Sequence, residues 1–116
     1  MPERIPEIFL YDMLFCVQKI ITFTHHHDFE TFLSDEKTKD AVLRNLGVLG
    51  EAANRVPKPL REKYTQIEWG RIIRSRNVII HDYEIIDYNV IWRIVTVHLP
   101  PLETFLKEII EGLEKP

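Results

Sequence analysis

At 116 residues the chain has the length of one domain, enough to bury roughly two-thirds of its unfolded surface. With 45% hydrophobic and 28% charged residues and a formal net charge of −3, it reads as globular and excludes a basic protein bound to long nucleic acid by counterion release. The single cysteine, Cys16, lies in an apolar run, which excludes an intrachain disulfide and a thiolate zinc set and suits a reducing cytoplasm.

Met1-Pro2-Glu3-Arg4 does not read as a signal peptide. The apolar run from Ile8 to Phe23 is broken by Asp12, Gln18 and Lys19, so it is not a membrane span. Pro6 and Glu7 suit the first turn of a helix, which should run to about Thr24. Phe9, Met13, Cys16 or Val17, Ile20 and Phe23 recur at three- and four-residue spacing, and Leu10, Leu14 and Ile21 widen the stripe beyond what one bundle core needs. Such a helix is either deeply central or shares one side with a second subunit.

His25-His26-His27 lacks the i,i+4 spacing of a helical metal site, so it reads as a polar helix end and loop, with no metal expected. Phe29, Phe32 and Leu33 suit a short helical turn, and Ser34 a cap for the next helix. Val42, Leu46, Leu49, Ala53 and Val56 then give a clear helical stripe. Gly47, Gly50, Ala52 and Ala53 should let a neighbouring helix come close, while Glu51 and Asn54 are polar positions that lie either near the functional site or, as burial statistics favour, on a solvated face.

Pro57-Lys58-Pro59 ends that helix, and Leu60 to Tyr64 suits one further turn. Trp69 begins a helix that should end near His81 or Asp82. Asp87 is a natural cap for the last element. There Ile91, Val95, Leu99, Leu102, Phe105 or Leu106, Ile109 and Leu113 keep one stripe across Pro100-Pro101, so two segments are expected, kinked at the prolines or restarted with Pro100 in the first turn. Strand alternation is absent from the sequence. The fold class is all-α, an up-and-down bundle of four to five helices in a single domain, 1–116.

The chemistry-bearing stretch runs from Ile73 to Tyr83. Arg76, Asn77, His81 and Tyr83 fall within eight positions, with Arg71, Arg74 and Arg93 as further cations. Asn77 and His81 are i,i+4 neighbours, whereas Arg76 and His81 lie about 140° apart on an ideal helix. The arginine and histidine need not touch within one chain, although a long guanidinium can reach around a helix end and two such segments can meet across an interface. Asp82 reads as a surface or capping residue.

The Arg-x4-His-x-Tyr arrangement of Arg76, His81 and Tyr83 resembles the signature of the HEPN superfamily (higher eukaryotes and prokaryotes nucleotide-binding), and most of all its HepT branch. The likeness extends to Asp35-Glu36-Lys37-Thr38-Lys39-Asp40-Ala41-Val42, Arg44-Asn45-Leu46 and Gly50-Glu51-Ala52-Ala53. It continues through Leu60-Arg61-Glu62-Lys63-Tyr64 and Ile67-Glu68-Trp69, and so spans nearly the whole chain.

The resemblance implies a cytoplasmic, homodimeric, metal-independent endoribonuclease with no cofactor and with RNA rather than DNA as substrate. It implies the toxin of a type VII-like toxin–antitoxin pair, silenced when a minimal nucleotidyltransferase antitoxin attaches AMP to Tyr83. The site residues can be given matching roles. His81, with an ordinary pKa near 6.5, moves a proton, and Arg76 stabilises charge on the phosphate. Asn77 holds the imidazole or the phosphate, and Tyr83 stacks or donates its hydroxyl. The alternative within the same superfamily is a non-catalytic dimer that binds a nucleotide or a partner.

Overall fold

The computed structural model of the chain describes residues 5–81 and 86–115, and for 77–81 the course of the backbone alone. The helices are α1 (Ile8–Thr24), α2 (Phe29–Ser34), α3 (Glu36–Arg55), α4 (Lys58–Lys63), α5 (Trp69–His81), α6 (Tyr88–Arg93) and α7 (Leu99–Glu114), with a π-helical stretch at Ile94–His98 between the last two. Among the described residues there is no strand. Long helices follow one another through short connections: α1 packs on α3 and α7, and α5 packs chiefly on α3. The bundle expected from the sequence is the one observed.

The core face of α1 is Leu10, Met13, Val17 and Ile20, all without exposed surface, flanked by Cys16 and Thr24. This corrects the ends of the expected stripe. Phe9 lies partly buried at its edge, and Phe23 is 39% exposed. The helix faces α3 and α7 together, and Met13, Cys16, Val17 and Ile20 are buried as expected, with Leu10 and Thr24 in place of Phe9 and Phe23 at the ends of the stripe. Tyr11 and Phe15 point outward, the latter 61% exposed, so α1 does present apolar surface on two sides.

A carboxylate sits at the head of each of α2, α3 and α6. Asp28 accepts from the Thr31 N–H at 2.9 Å, while the Thr31 hydroxyl accepts from the Asp28 N–H at 3.0 Å, a reciprocal box that starts α2. The cap of α3 is Asp35 rather than Ser34. Asp35 accepts from the Thr38 N–H at 3.1 Å and from the Thr38 hydroxyl at 2.7 Å. Ser34 is already the last residue of α2 and donates its hydroxyl to the Thr31 carbonyl. Asp87 caps α6 as expected, accepting from the Asn89 N–H at 3.0 Å.

The stripe residues Val42, Leu46, Leu49 and Ala53 of α3 and its C-cap Val56 are all buried. Each such large apolar side chain contributes about 1.5–3 kcal/mol on leaving water. Phe32 of α2 closes one end of this core by stacking on Trp92 of α6, ring centroids 4.9 Å apart.

The two expected segments are α6 and α7, and the second restarts at the prolines, with Pro100 in its first turn. Helical backbone runs on through His98 and Leu99, and the Leu99 N–H donates to the Ile94 carbonyl, five residues back. Pro100 and Pro101 cannot donate to the carbonyls of Thr96 and Val97, and an α-helical turn would press their rings against those oxygens. The wider π turn relieves that crowding one turn ahead of the prolines. The buried stripe Ile91, Val95, Leu99, Leu102, Leu106 and Ile109 passes through it unbroken.

Two glycines of α3 behave oppositely. A methyl at Gly50 would stand 2.9 Å from the Arg76 Cβ and 3.1 Å from the Ile72 carbonyl oxygen, so here α3 and α5 touch backbone to backbone. A methyl at Gly47 would meet nothing within 4 Å, and the close approach expected there does not occur. Gly47→Ala is therefore expected to stabilise the chain by up to about 1 kcal/mol, the helix-propensity gain alone. Gly50→Ala is expected to destabilise it by up to about 2 kcal/mol, because overpacking outweighs the same gain. Urea unfolding of the two variants checks the opposite signs.

Candidate nuclease site on the third and fifth helices

The start of α5 is fixed by Trp69, which is nearly buried and donates its indole N–H to the Tyr64 carbonyl at 3.0 Å. From that anchor the helix runs across α3, with Ile72 and Arg76 passing over Gly50. The crossing brings Arg76 to Glu51, and the guanidinium Nη1 donates to the Glu51 Oε2 in a hydrogen-bonded ion pair. Glu51 is also 3.4 Å from the Nε of Arg55, one turn along α3. Of its two readings, Glu51 follows the one beside the motif arginine while keeping part of its surface in solvent, and Asn54 follows the solvated one.

Arg76 keeps 26% of its side-chain surface exposed and Glu51 keeps 43%, so the pair is half-buried and reachable from solvent. The Arg76 hydrogen bond holds the Glu51 carboxyl below its ordinary value of 4.5, against an opposing push from burial and with help from the charges of Arg76 and Arg55. Beside the pair an open groove of about 590 Å³ runs between α1 and α3, with Phe15, Val48 and Arg44 along it and Glu51 and Arg55 at one side.

The arginines that cluster in sequence do not form one patch. Arg71 turns away from Arg76, lying 3.2 Å from the Glu68 carboxylate and 3.3 Å from each ring nitrogen of His98. Arg74 is exposed and folds back over Gly70. Arg76 is thus the arginine of this helix that faces the α3 carboxylate.

Asn77 and His81 continue α5, and their side chains are outside the described residues. Asp82 and Tyr83 lie outside the described residues altogether. His25 and His27 serve local structure: His25 Nδ1 lies 3.2 Å from the Thr22 carbonyl, and His27 Nδ1 3.1 Å from the Thr31 hydroxyl. Among the described residues no group of three or more His, Cys, Asp or Glu could hold a metal ion.

Residues 13–109 match the family model described as ribonuclease HepT-like. The chain belongs to the HepT-like family. It is 40% identical over 114 residues to a "putative RNase" of Methanocaldococcus jannaschii, covering 98% of this chain and 94% of that protein. A second "putative RNase" of that organism is 37% identical over 115 residues, covering 99% of both chains. The "probable ribonuclease HepT" of Thermococcus cleftensis is 35% identical over 101 residues, covering 87% of this chain and 92% of its own. No solved structure matches.

The HepT-like match takes in both helices of the crossing, hence Glu51, Arg76 and His81. The arginine was legible in the sequence through its motif. Its partner was not, because nothing in α3 alone shows which helix lies over Gly50. The small pair Gly50 and Ala53 was the available signal.

The pair sets an acid dependence whose sign is fixed. Glu51 has its folded pKa depressed, so the stabilisation is present above its ordinary 4.5 and is lost as pH falls through the folded value. Arg76→Ala should raise the Glu51 carboxyl toward that ordinary value. The stability difference between wild type and variant should be full at pH 7 and close below the wild-type titration. Carboxyl NMR titration and denaturant unfolding across pH 2–7 check both, a window chosen to bracket ordinary carboxylate pKa values of about 4.

Proposed function

We propose that the chain is a metal-independent endoribonuclease acting as one HEPN-type domain, with Arg76 and His81 at its centre. The observation that carries this reading is the half-buried Arg76 guanidinium on α5, tied to Glu51 through one terminal nitrogen. The family and the names of its relatives point the same way. A guanidinium has five N–H donors in a planar fork, and that contact occupies one, so the group can still match a phosphate.

In the proposed reaction the RNA supplies its own nucleophile. The 2′-hydroxyl attacks the adjacent phosphorus, its proton is removed, and the bond to the 5′-oxygen of the next nucleotide breaks. A proton is returned to that oxygen. The products are a 2′,3′-cyclic phosphate and a 5′-hydroxyl. His81 accepts and returns the proton near neutral pH, Arg76 stabilises the charge gathering on the phosphoryl oxygens, and Asn77 and Tyr83 support substrate.

We further propose that the working form is a homodimer. Its support is the apolar surface that α1 and α3 present along the groove beside Glu51, where Phe15 is 61% and Val48 44% exposed. The five-residue offset of His81 from Arg76 favours a site completed by two motif copies. In this reading the chain is a cytoplasmic toxin whose antitoxin, a minimal nucleotidyltransferase, attaches AMP to Tyr83. The added phosphate then competes with RNA for Arg76. No helix among the described residues is long and apolar enough to cross a membrane.

Incubating the purified chain with RNA in a chelator is expected to give cleavage ending in 2′,3′-cyclic phosphate. Arg76→Ala is expected to lose about 10²–10³ in rate and His81→Ala about 10²–10⁴, both with wild-type helical circular dichroism. Cleavage that needs added metal, or wild-type rates in either variant, overturns the reading. A dimer that binds a nucleotide without cutting RNA would then take its place.

Native mass spectrometry after co-expression with a neighbouring nucleotidyltransferase gene tests the assembly and the silencing. The expected species is a dimer bearing AMP on Tyr83. A monomer, an unmodified chain, or AMP on Tyr64 or Tyr88 counts against that part.

A further inference from the structure

The ion pair between α3 and α5 bears on how Arg76 is aimed. Arginine has a long side chain with many rotamers, and a half-exposed one without a partner samples several of them. Here the partner comes from another helix, so the direction of the guanidinium is tied to the packing of the bundle. Gly50 makes this possible. Its missing side chain lets the Arg76 Cβ ride directly over α3, with Glu51 as the next residue.

Glu51 is held in turn by Arg55 at 3.4 Å, so the three side chains form a line Arg55–Glu51–Arg76 from α3 to α5. One carboxylate between two guanidiniums leaves the line with net positive charge. Glu51 can therefore orient Arg76 without cancelling its attraction for a phosphate. The carboxyl is also held low by Arg76, which makes it a poor proton acceptor. Such a group acts through its neighbour rather than on the substrate.

We propose that Glu51 is the positioning residue of this site, holding the Arg76 guanidinium from the neighbouring helix so that its remaining N–H edge meets the scissile phosphate. The proposal rests on the ribonuclease reading for its consequence in rate, and on the observed ion pair for its geometry. Misplacing a group by about 1 Å can cost on the order of 10²-fold in rate. Glu51→Ala is thus expected to lower kcat by about 10²-fold and the nearly isosteric Glu51→Gln by about 10-fold, with KM moving by less than about threefold. Glu51→Asp should recover part of the loss.

The decisive comparison is a double-mutant cycle with Arg76→Lys, which keeps the charge and loses the fork. If Glu51 acts through Arg76, Glu51→Ala on the Arg76→Lys background costs less than about threefold. Equal losses in both backgrounds, or Glu51→Ala at the wild-type rate, overturn the proposal. A thermal melt identifies any variant that fails to fold, and Glu51→Gln then carries the comparison.

A second readout needs no RNA. The 15N spectrum of the Arg76 side chain, assigned from its absence in Arg76→Lys, should show separate Nη signals in the wild type. In Glu51→Gln those signals should merge as the guanidinium rotates freely, and unchanged separate signals overturn the proposal. If wild type does not cleave, or Arg76→Ala cleaves as wild type does, the ribonuclease reading fails instead, and the 15N spectra alone decide whether Glu51 holds the guanidinium.

Discussion

Contact between α3 and α5 at Gly50 is the constraint from which the site follows. A helix pair ordinarily packs with its axes 8–10 Å apart, the distance set by the side chains between them. With no side chain at Gly50, the Ile72 carbonyl and the Arg76 Cβ come to the surface of α3 itself. Glu51 then lies within hydrogen-bonding reach of an arginine that would otherwise extend past it. The rest of the bundle supports this contact from behind: Val42, Leu46, Leu49 and Ala53 bind α3 into the core, and Trp69 fixes where α5 begins. One helix thus carries the apolar stripe that holds the fold and the carboxylate that meets the arginine.

Legibility in the sequence followed the range of the interactions. The stripe of α3 and its C-cap Val56 read correctly at all five positions, because polar residues separate the apolar ones there and leave a single apolar face to bury. The stripe of α1 read correctly at Met13, Cys16, Val17 and Ile20 and wrongly at its ends, where Leu10 and Thr24 replace Phe9 and Phe23, since its apolar surface is wide and the neighbours α3 and α7 that choose the core face are not visible in the α1 sequence. Between Ser34 and Asp35 the competition was local. It was decided by Ser34 belonging to the turn before, and by a carboxylate being able to accept from both the N–H and the hydroxyl of Thr38. Arg76 was picked out by its motif. Glu51 could be read as near the site or on a solvated face, but its pairing with Arg76 could not, since that contact joins residues 25 apart in the chain.

The dispersal of the arginines shows why a basic run on a helix is a poor guide to a basic patch. Arg71 and Arg76 are five positions apart, which on a helix turns them about 140° from each other. They accordingly meet different carboxylates, Glu68 and Glu51, on different sides of α5. A net charge of −3 is compatible with a phosphate site under these conditions. What counts at short range is the one guanidinium and its fixed neighbours, while the remaining charge is spread over the surface and screened within about 10 Å at ordinary salt.

The π turn at Ile94–His98 has a bearing on how sequences of this kind can be compared. A π turn takes one more residue than an α turn to come round, so the stretch behaves as a one-residue insertion absorbed inside a helix. The apolar stripe resumes in register on the far side, and Leu102, Leu106 and Ile109 reach the core as if nothing had been added. A chain one residue shorter here could present the same face with a plain α-helix. Helix length and facing direction are therefore uncoupled at this point, and a gap of one in an alignment just before the paired prolines would record a change of local pitch rather than a change of packing.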